Sequence, residues 1–173
     1  MTQHTRSGHK LSFWPARSIT VMKFGGTSVA NPERILSSAE KVARSKQQGR
    51  KIVVVVSAPG EMTDELIDLA KSINPNPGDR EMDMLLATGE QMSIALFAMA
   101  LELKGIKAMS LTGPQAGILA TNAFTQAKIV GINPKKIREG LRRNMVIVVA
   151  GFQGINPNGE ITTLGRGGSD LTA

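Results

Sequence analysis

Two runs of apolar, mostly β-branched residues constrain this chain more than any other feature. They are Lys51-Ile52-Val53-Val54-Val55-Val56-Ser57 and Met145-Val146-Ile147-Val148-Val149-Ala150. Neither alternates apolar with polar, so each reads as a strand buried on both faces, the mark of a parallel sheet covered by helices. A shorter apolar run, Ile19 to Met22, leads into Met22-Lys23-Phe24-Gly25-Gly26-Thr27-Ser28. Between that stretch and the Lys51 run, Asn31 and Pro32 suit a helix cap and first turn. Ile35, Ala39, Val42 and Ala43 then recur at helical spacing, and Gly49 suits the stop. Strand, helix and buried strand make a βαβ unit with a right-handed crossover.

The rest of the chain continues the alternation. Thr63 or Asp64 is expected to cap a helix carrying Leu66, Ile67, Leu69 and Ala70. Residues 80–104 read as helical, but Thr88-Gly89-Glu90 interrupts them, and a mid-helix glycine costs roughly 1 kcal/mol against alanine. Two helices meeting at a bend, with Glu90 at the junction, are therefore expected. A third strand spans 107–112, ending at Gly113-Pro114, and residues 115–127 read as short strands and turns. Asn133-Pro134 opens a helix through Ile137 and Leu141. Asn158-Gly159 predicts a hairpin between 153–155 and 160–163. Ser169 or Asp170 is expected to cap a last helix, of which the chain holds about one turn, so a longer parent protein is expected. Residues 1–18 are polar, basic and aperiodic; they read as a disordered or non-native leader.

Composition narrows the chemistry. The chain has no cysteine, and its two histidines are His4 and His9. A disulfide framework, a thiolate metal site and a histidine-based triad or zinc site in the body of the protein are excluded. Catalysis must use Lys, Arg, Asp, Glu, hydroxyls and backbone. The net charge of +7 is scattered and aromatic residues are only 3%, which argues against nucleic acid as a partner and suits an anionic substrate. With no apolar run of about 18 residues, no membrane span is expected.

In an open parallel sheet, ligands bind beyond the carboxyl ends of the strands. Glycine-containing stretches fall there: Lys23-Phe24-Gly25-Gly26, Ser57-Ala58-Pro59-Gly60, Thr112-Gly113-Pro114, Gly151-Phe152-Gln153-Gly154 and the loop 165–170. The first reads as a phosphate turn in which paired glycines admit a ligand to backbone N–H groups, the next helix offers its N-terminus and Lys23 adds a charge. It reads equally as a tight turn with Lys23 solvated, and the GxxxxGK[ST] pattern is absent. Arg166 can fork onto a carboxylate or phosphate, or lie in solvent. Glu90 can take a ligand ammonium, or serve as a surface residue or cap. Asp170 can orient a lysine or a metal, or cap a helix. Thr63 and Ser57 can donate hydroxyls or be structural. Met82, Met84, Met92 and Met99 read as core and interface filler.

Taken together, several of these stretches resemble the aspartate kinase family: 23–29 (KFGGTSV), 80–86 (REMDMLL), 88–90 (TGE), 149–154 (VAGFQG) and 162–170 (TTLGRGGSD). The last is the most specific. The resemblance implies an amino-acid-kinase fold, an α/β three-layer αβα sandwich with a mostly parallel sheet. Residues 19–173 would be its N-terminal, substrate-binding part, with the nucleotide-binding half and regulatory ACT domains lying beyond. It implies ATP and Mg²⁺ as cofactors, L-aspartate as substrate, a cytoplasmic location and a homo-oligomer at full length. By the same resemblance Lys23 steadies the phosphoryl group, with Phe24, Gly25, Gly26, Ser57 and Ser169 near nucleotide phosphate. Glu90 holds the substrate ammonium, Arg166 its α-carboxylate, and Thr63, Gly167 and Gly168 contact substrate, while Asp170 orients Lys23. No residue is assigned to a metal. The chain departs from the family at Asn122–Lys128, where a His-Gly-Asn-Ala-Arg-like segment is usual, and at Ala58–Glu61, where a Met-Gly-Lys-like one is. A glutamate-type acylphosphate kinase of the same fold and a non-catalytic fragment are the competing readings.

Overall fold

The computed structural model describes residues 18–165 and 167–173. The leader, apart from Ser18, and Arg166 lie outside the described residues. The core is a four-stranded parallel sheet in the order β1-β2-β6-β3, built from β1 (Ile19–Phe24), β2 (Lys51–Val56), β3 (Ala108–Leu111) and β6 (Val146–Ala150). The two all-apolar runs are its two central strands, and β6 is buried at every position. Their alternate side chains feed two separate cores. Val54, Val56, Val146 and Val148 pack with Ile35, Val42, Phe97 and Leu101 from α1 (Pro32–Gln47) and α3 (Asp79–Glu102). Val53, Val55, Ile147 and Val149 face the other way, toward Ala116 of α4 (Gly113–Ala116) and Leu141 of α5 (Lys135–Arg142). Helices thus cover both faces, as a parallel sheet requires.

A second sheet has the order β5-β4-β7-β8, from β4 (Ile118–Ala120), β5 (Ile129–Ile132), β7 (Gln153–Ile155) and β8 (Ile161–Thr163); β4 falls in the stretch read as short strands and turns and β7–β8 is the expected hairpin, while β5 is not among the expected strands. The hairpin turn at Asn158-Gly159 joins β7 to β8, with Gly159 at φ +81°. Ile118 of β4 enters the second core.

Three local expectations need correction. Residues 79–102 form one continuous helix, not two. Gly89 is no break, because it is where α3 lies against the loop after β2: a Cβ there would stand 2.8 Å from the Ala58 Cβ. The helix before it, α2 (Met62–Ile73), starts one residue before Thr63, with Glu61 at the cap and no side-chain cap bond from Thr63 or Asp64. The last helix, α6 (Gly168–Thr172), likewise begins ahead of Ser169 and Asp170, with Gly167 at its cap in a left-handed conformation. By length and composition α3 is apolar enough to cross a bilayer, but 56% of its most apolar window is buried inside the protein and it points Asp83 and Glu90 inward, as a core helix does. Met92 and Met99, expected as filler, are exposed along α3 beside Leu96 and Leu103.

Candidate active site

Above the carboxyl ends of β1, β2 and β6 lies an open cleft of about 630 Å³. Its floor begins at the first glycine turn. After Phe24 the chain makes one 3₁₀ turn, Gly26–Ser28, closed by Ser28 N–H donating to the Gly25 carbonyl (2.9 Å). Gly26 has to be glycine, because a Cβ would stand 2.8 Å from the Ala58 carbonyl oxygen. The two loops are stitched together there: Ser57 N–H donates to the Phe24 carbonyl and Gly60 N–H to the Gly26 carbonyl, both at 3.1 Å. The start of α1 is not among the described residues that line the cleft; the helical turn directly after the glycines, Gly26–Ser28, places Gly26 there. Asn31 Oδ1 caps α1 by accepting from Arg34 N–H (2.9 Å), and Asn31 and Pro32 line a neighbouring apolar groove that shares Gly60 with the cleft.

The cleft brings together Lys23, Gly26, Ser57, Thr63 and Glu90 with Gly167, Gly168, Ser169 and Asp170. Lys23 Nζ and Asp170 Oδ1 form an ion pair at 2.9 Å. Ser169 is nearly buried and packs on Gly151, where any Cβ would collide with it. Two of the expected residues do not line the cleft. Phe24 turns its ring into the core, 5.3 Å between centroids from Phe97, so any contribution it makes is through backbone. Gly25 lies against the Lys23 ammonium, with its Cβ position 3.5 Å from Nζ. Arg166 lies outside the described residues. The loop after β3, expected on the rim, is absent from it because β3 is the far edge strand. Thr112 there caps α4 in a capping box with Gln115, and Gly113 N–H reaches Gln153 Oε1 at 3.4 Å.

Glu90 has the most unusual environment. It is 3% exposed, on the turn of α3 next to the Gly89–Ala58 contact. Its Oε1 accepts from Ala58 N–H at 3.0 Å, and its Oε2 is buried with no partner. Burial pushes the carboxyl up to about 7, a rise that the Ala58 N–H bond only partly offsets. A buried, half-satisfied carboxylate at the edge of a cleft is a ready acceptor for a cationic ligand group.

Two further cleft residues that the sequence assigned no role are Thr125 and Phe152, at φ +62° and +65°. Left-handed backbone at a β-branched or aromatic residue is uncommon and gathers at functional sites. Among the described residues only Asn144 is another non-glycine with φ in that range, and asparagine tolerates it.

Residues 18–173 match the amino acid kinase family. An aspartokinase of Bacillus sp. (strain MGA3) is 57% identical over 155 residues, which is 90% of this chain and 38% of that protein. The chain therefore spans well under half the length of this relative. The aspartate kinase from Synechocystis superposes with a TM-score of 0.76 at 50% identity, over 90% of this chain and 25% of that one. Aspartokinase III of E. coli, solved in complex with aspartate and ADP, superposes with a TM-score of 0.80 at 24% identity, over 90% of this chain and 45% of that one, a likeness of fold.

Proposed function

The chain belongs to the amino acid kinase family, and on that premise we propose that it is the substrate-binding part of an aspartate kinase. The reaction would be transfer of the terminal phosphoryl group of ATP to the side-chain carboxylate of L-aspartate. A carboxylate oxygen attacks the γ-phosphorus, the bond to the β–γ bridging oxygen breaks, and ADP and 4-phospho-L-aspartate result. That product would open the route to lysine, threonine and methionine. A carboxylate is already a nucleophile at neutral pH, so no general base is required, and no histidine is among the described residues that line the cleft.

The observation that carries this reading is Glu90 Oε2, buried at the cleft without a partner. An α-ammonium is a fitting occupant, and it is absent from N-acetylated and nucleotide substrates. Lys23, fixed by Asp170, would meet the transferring phosphoryl group, while the Gly25-Gly26 turn, Ser57 and Ser169 would lie along the nucleotide phosphates. Thr63, Gly167 and Gly168 would border the amino acid, with Arg166 on its α-carboxylate. Phosphoryl transfer is mostly positioning and charge neutralisation, and preorganised donors are typically worth about 3 kcal/mol each. Mg²⁺ would supply further neutralisation. That ion would be carried largely by phosphate oxygens and water. The remaining length of the longer protein would hold the nucleotide-binding half and the regulatory ACT domains, in a cytoplasmic homo-oligomer.

The test is acylphosphate trapping with hydroxylamine, using this chain in its full-length context. Aspartyl hydroxamate should form with ATP and aspartate, and glutamate should be ignored. Strong glutamate turnover would overturn the substrate assignment in favour of a glutamate-type kinase.

A further inference from the structure

Along α3, Arg80, Asp83, Ala87 and Glu90 follow one another at spacings of three and four residues, the spacing of a single helix face. Each holds a different segment. Arg80 Nε donates to Glu160 Oε1 at 3.1 Å, at the hairpin end of β8. The Ala87 carbonyl accepts from Gln153 Nε2 at 3.0 Å, and Glu90 accepts from Ala58. Asp83 makes the densest set. It is 0% exposed, and no cation lies within ion-pair distance of it among the described residues. A buried carboxylate without a counter-charge is tolerable only if its lone pairs are filled. They are. Oδ1 accepts from the Thr163 hydroxyl (2.6 Å) and Oδ2 from Thr163 N–H (3.0 Å). Thr125 N–H is shared between the two oxygens, at 3.1 and 2.9 Å.

Both partners line the cleft, and Asp83 does not. Thr125 is held at φ +62°, an unfavourable conformation for a β-branched residue, by the N–H that Asp83 receives. Thr163 is the last residue of β8, and its carbonyl accepts from Ala127 N–H at 2.9 Å, so the two segments are also tied to each other. Two residues later Gly165 lies against Thr125, and the chain proceeds to the Lys23 partner, Asp170. We propose that Asp83 is a positioning residue: its carboxylate gathers the 121–128 segment and the end of β8 into one rigid wall of the cleft, setting the geometry of the amino-acid end without touching the ligand. The proposal rests on the reading of this cleft as an amino-acid site.

The hydrogen-bond pattern makes a specific forecast for substitutions. Asparagine can keep one oxygen on the two N–H donors and turn its NH₂ toward the Thr163 hydroxyl, which can accept. Alanine leaves all three donors empty. In the full-length protein, Asp83→Ala should raise the aspartate KM tenfold or more and leave the ATP KM within twofold. Amide exchange at Thr125 and Thr163 should speed up at least a hundredfold while Val54 and Val148 in the central sheet stay slow. Asp83→Asn should recover most of both effects. Leu141→Ala, a core cavity on the opposite face of the sheet, should lower the melting temperature yet leave the aspartate KM unchanged. The proposal is overturned if Asp83→Ala moves both KM values alike, if Leu141→Ala raises the aspartate KM as much, or if Thr125 stays protected without the carboxylate. If Asp83→Ala does not fold, Asp83→Asn paired with Thr163→Val decides: loss of the rescue at Thr125 supports the wall, and its persistence overturns it. Should the parent protein turn over no aspartate, the functional reading fails, and exchange at Thr125 still decides whether Asp83 holds the wall.

Discussion

The Lys23–Asp170 pair is partly open to water, with side chains 31% and 69% exposed. Pairs of that kind contribute about 0–1 kcal/mol to stability, so the value of this one lies in where it holds Nζ. Lys23→Ala should therefore change stability by under about 1 kcal/mol, yet cut kcat by roughly a hundredfold or more. The aspartate KM should stay within about threefold in a hydroxamate assay. An unchanged kcat would refute the role given to Lys23. Glu90 behaves oppositely. Below its ordinary value of 4.5 it is neutral whether folded or unfolded; between 4.5 and about 7 the unfolded chain releases the proton and the folded chain keeps it. The contribution of Glu90 to stability therefore falls as pH rises through that window, by up to about 3 kcal/mol, and levels off above it. Glu90→Gln cannot ionise and keeps the Ala58 acceptor, so its melting temperature should gain on the parent chain from pH 4.5 to 7. Parallel pH profiles for the two chains would rule this out. Lys23 and Glu90 were legible because each interrupts a local pattern, a strand end or an apolar helix. Asp83 interrupts Met82–Leu86 in the same way, but its partners Thr125 and Thr163 stand 42 and 80 residues away, and no local rule joins them.

At the scale of elements, the long apolar runs translated directly into strands, and Asn31-Pro32 into the start of α1, because each is decided by neighbours along the chain. What failed was decided across the chain. Gly89 looks like a helix breaker in one dimension; in three it is the gap that admits Ala58, and the α3 backbone packs where no side chain fits. The short strands β4 and β5 carry too few residues to show a period, and a bulge shifts their register between Leu119 and Ala120. The Gly89 contact can be tested. Alanine gains roughly 1 kcal/mol in helix propensity, but its Cβ would meet the Ala58 Cβ at 2.8 Å, and overpacking of that kind costs about 1–3 kcal/mol. Gly89→Ala should be net destabilising in urea denaturation. Adding Ala58→Gly, which vacates the space, should restore much of the loss. Additive losses in the double variant would show that the two positions do not compete for that space.

For the molecule as a whole, the row of polar contacts along α3 joins segments distant in sequence, up to 80 residues apart for Arg80–Glu160 and Asp83–Thr163. The β1–β2 pair and the part of the core that α1 makes with those two strands can gather earlier, since loop-closure entropy delays contacts between remote segments. The wall around Asp83 should therefore form late, with its bonds made after the transition state. Thr163→Val, which deletes one of them, should speed unfolding in stopped-flow experiments and leave the folding rate nearly unchanged, a φ-value near zero. Val54→Ala, in the sheet centre, should slow folding. A protein assembled in this order would carry the geometry of its cleft on a part of the native state that opens readily, so an amino acid bound there, by closing that opening, would lengthen the lifetime of the whole fold.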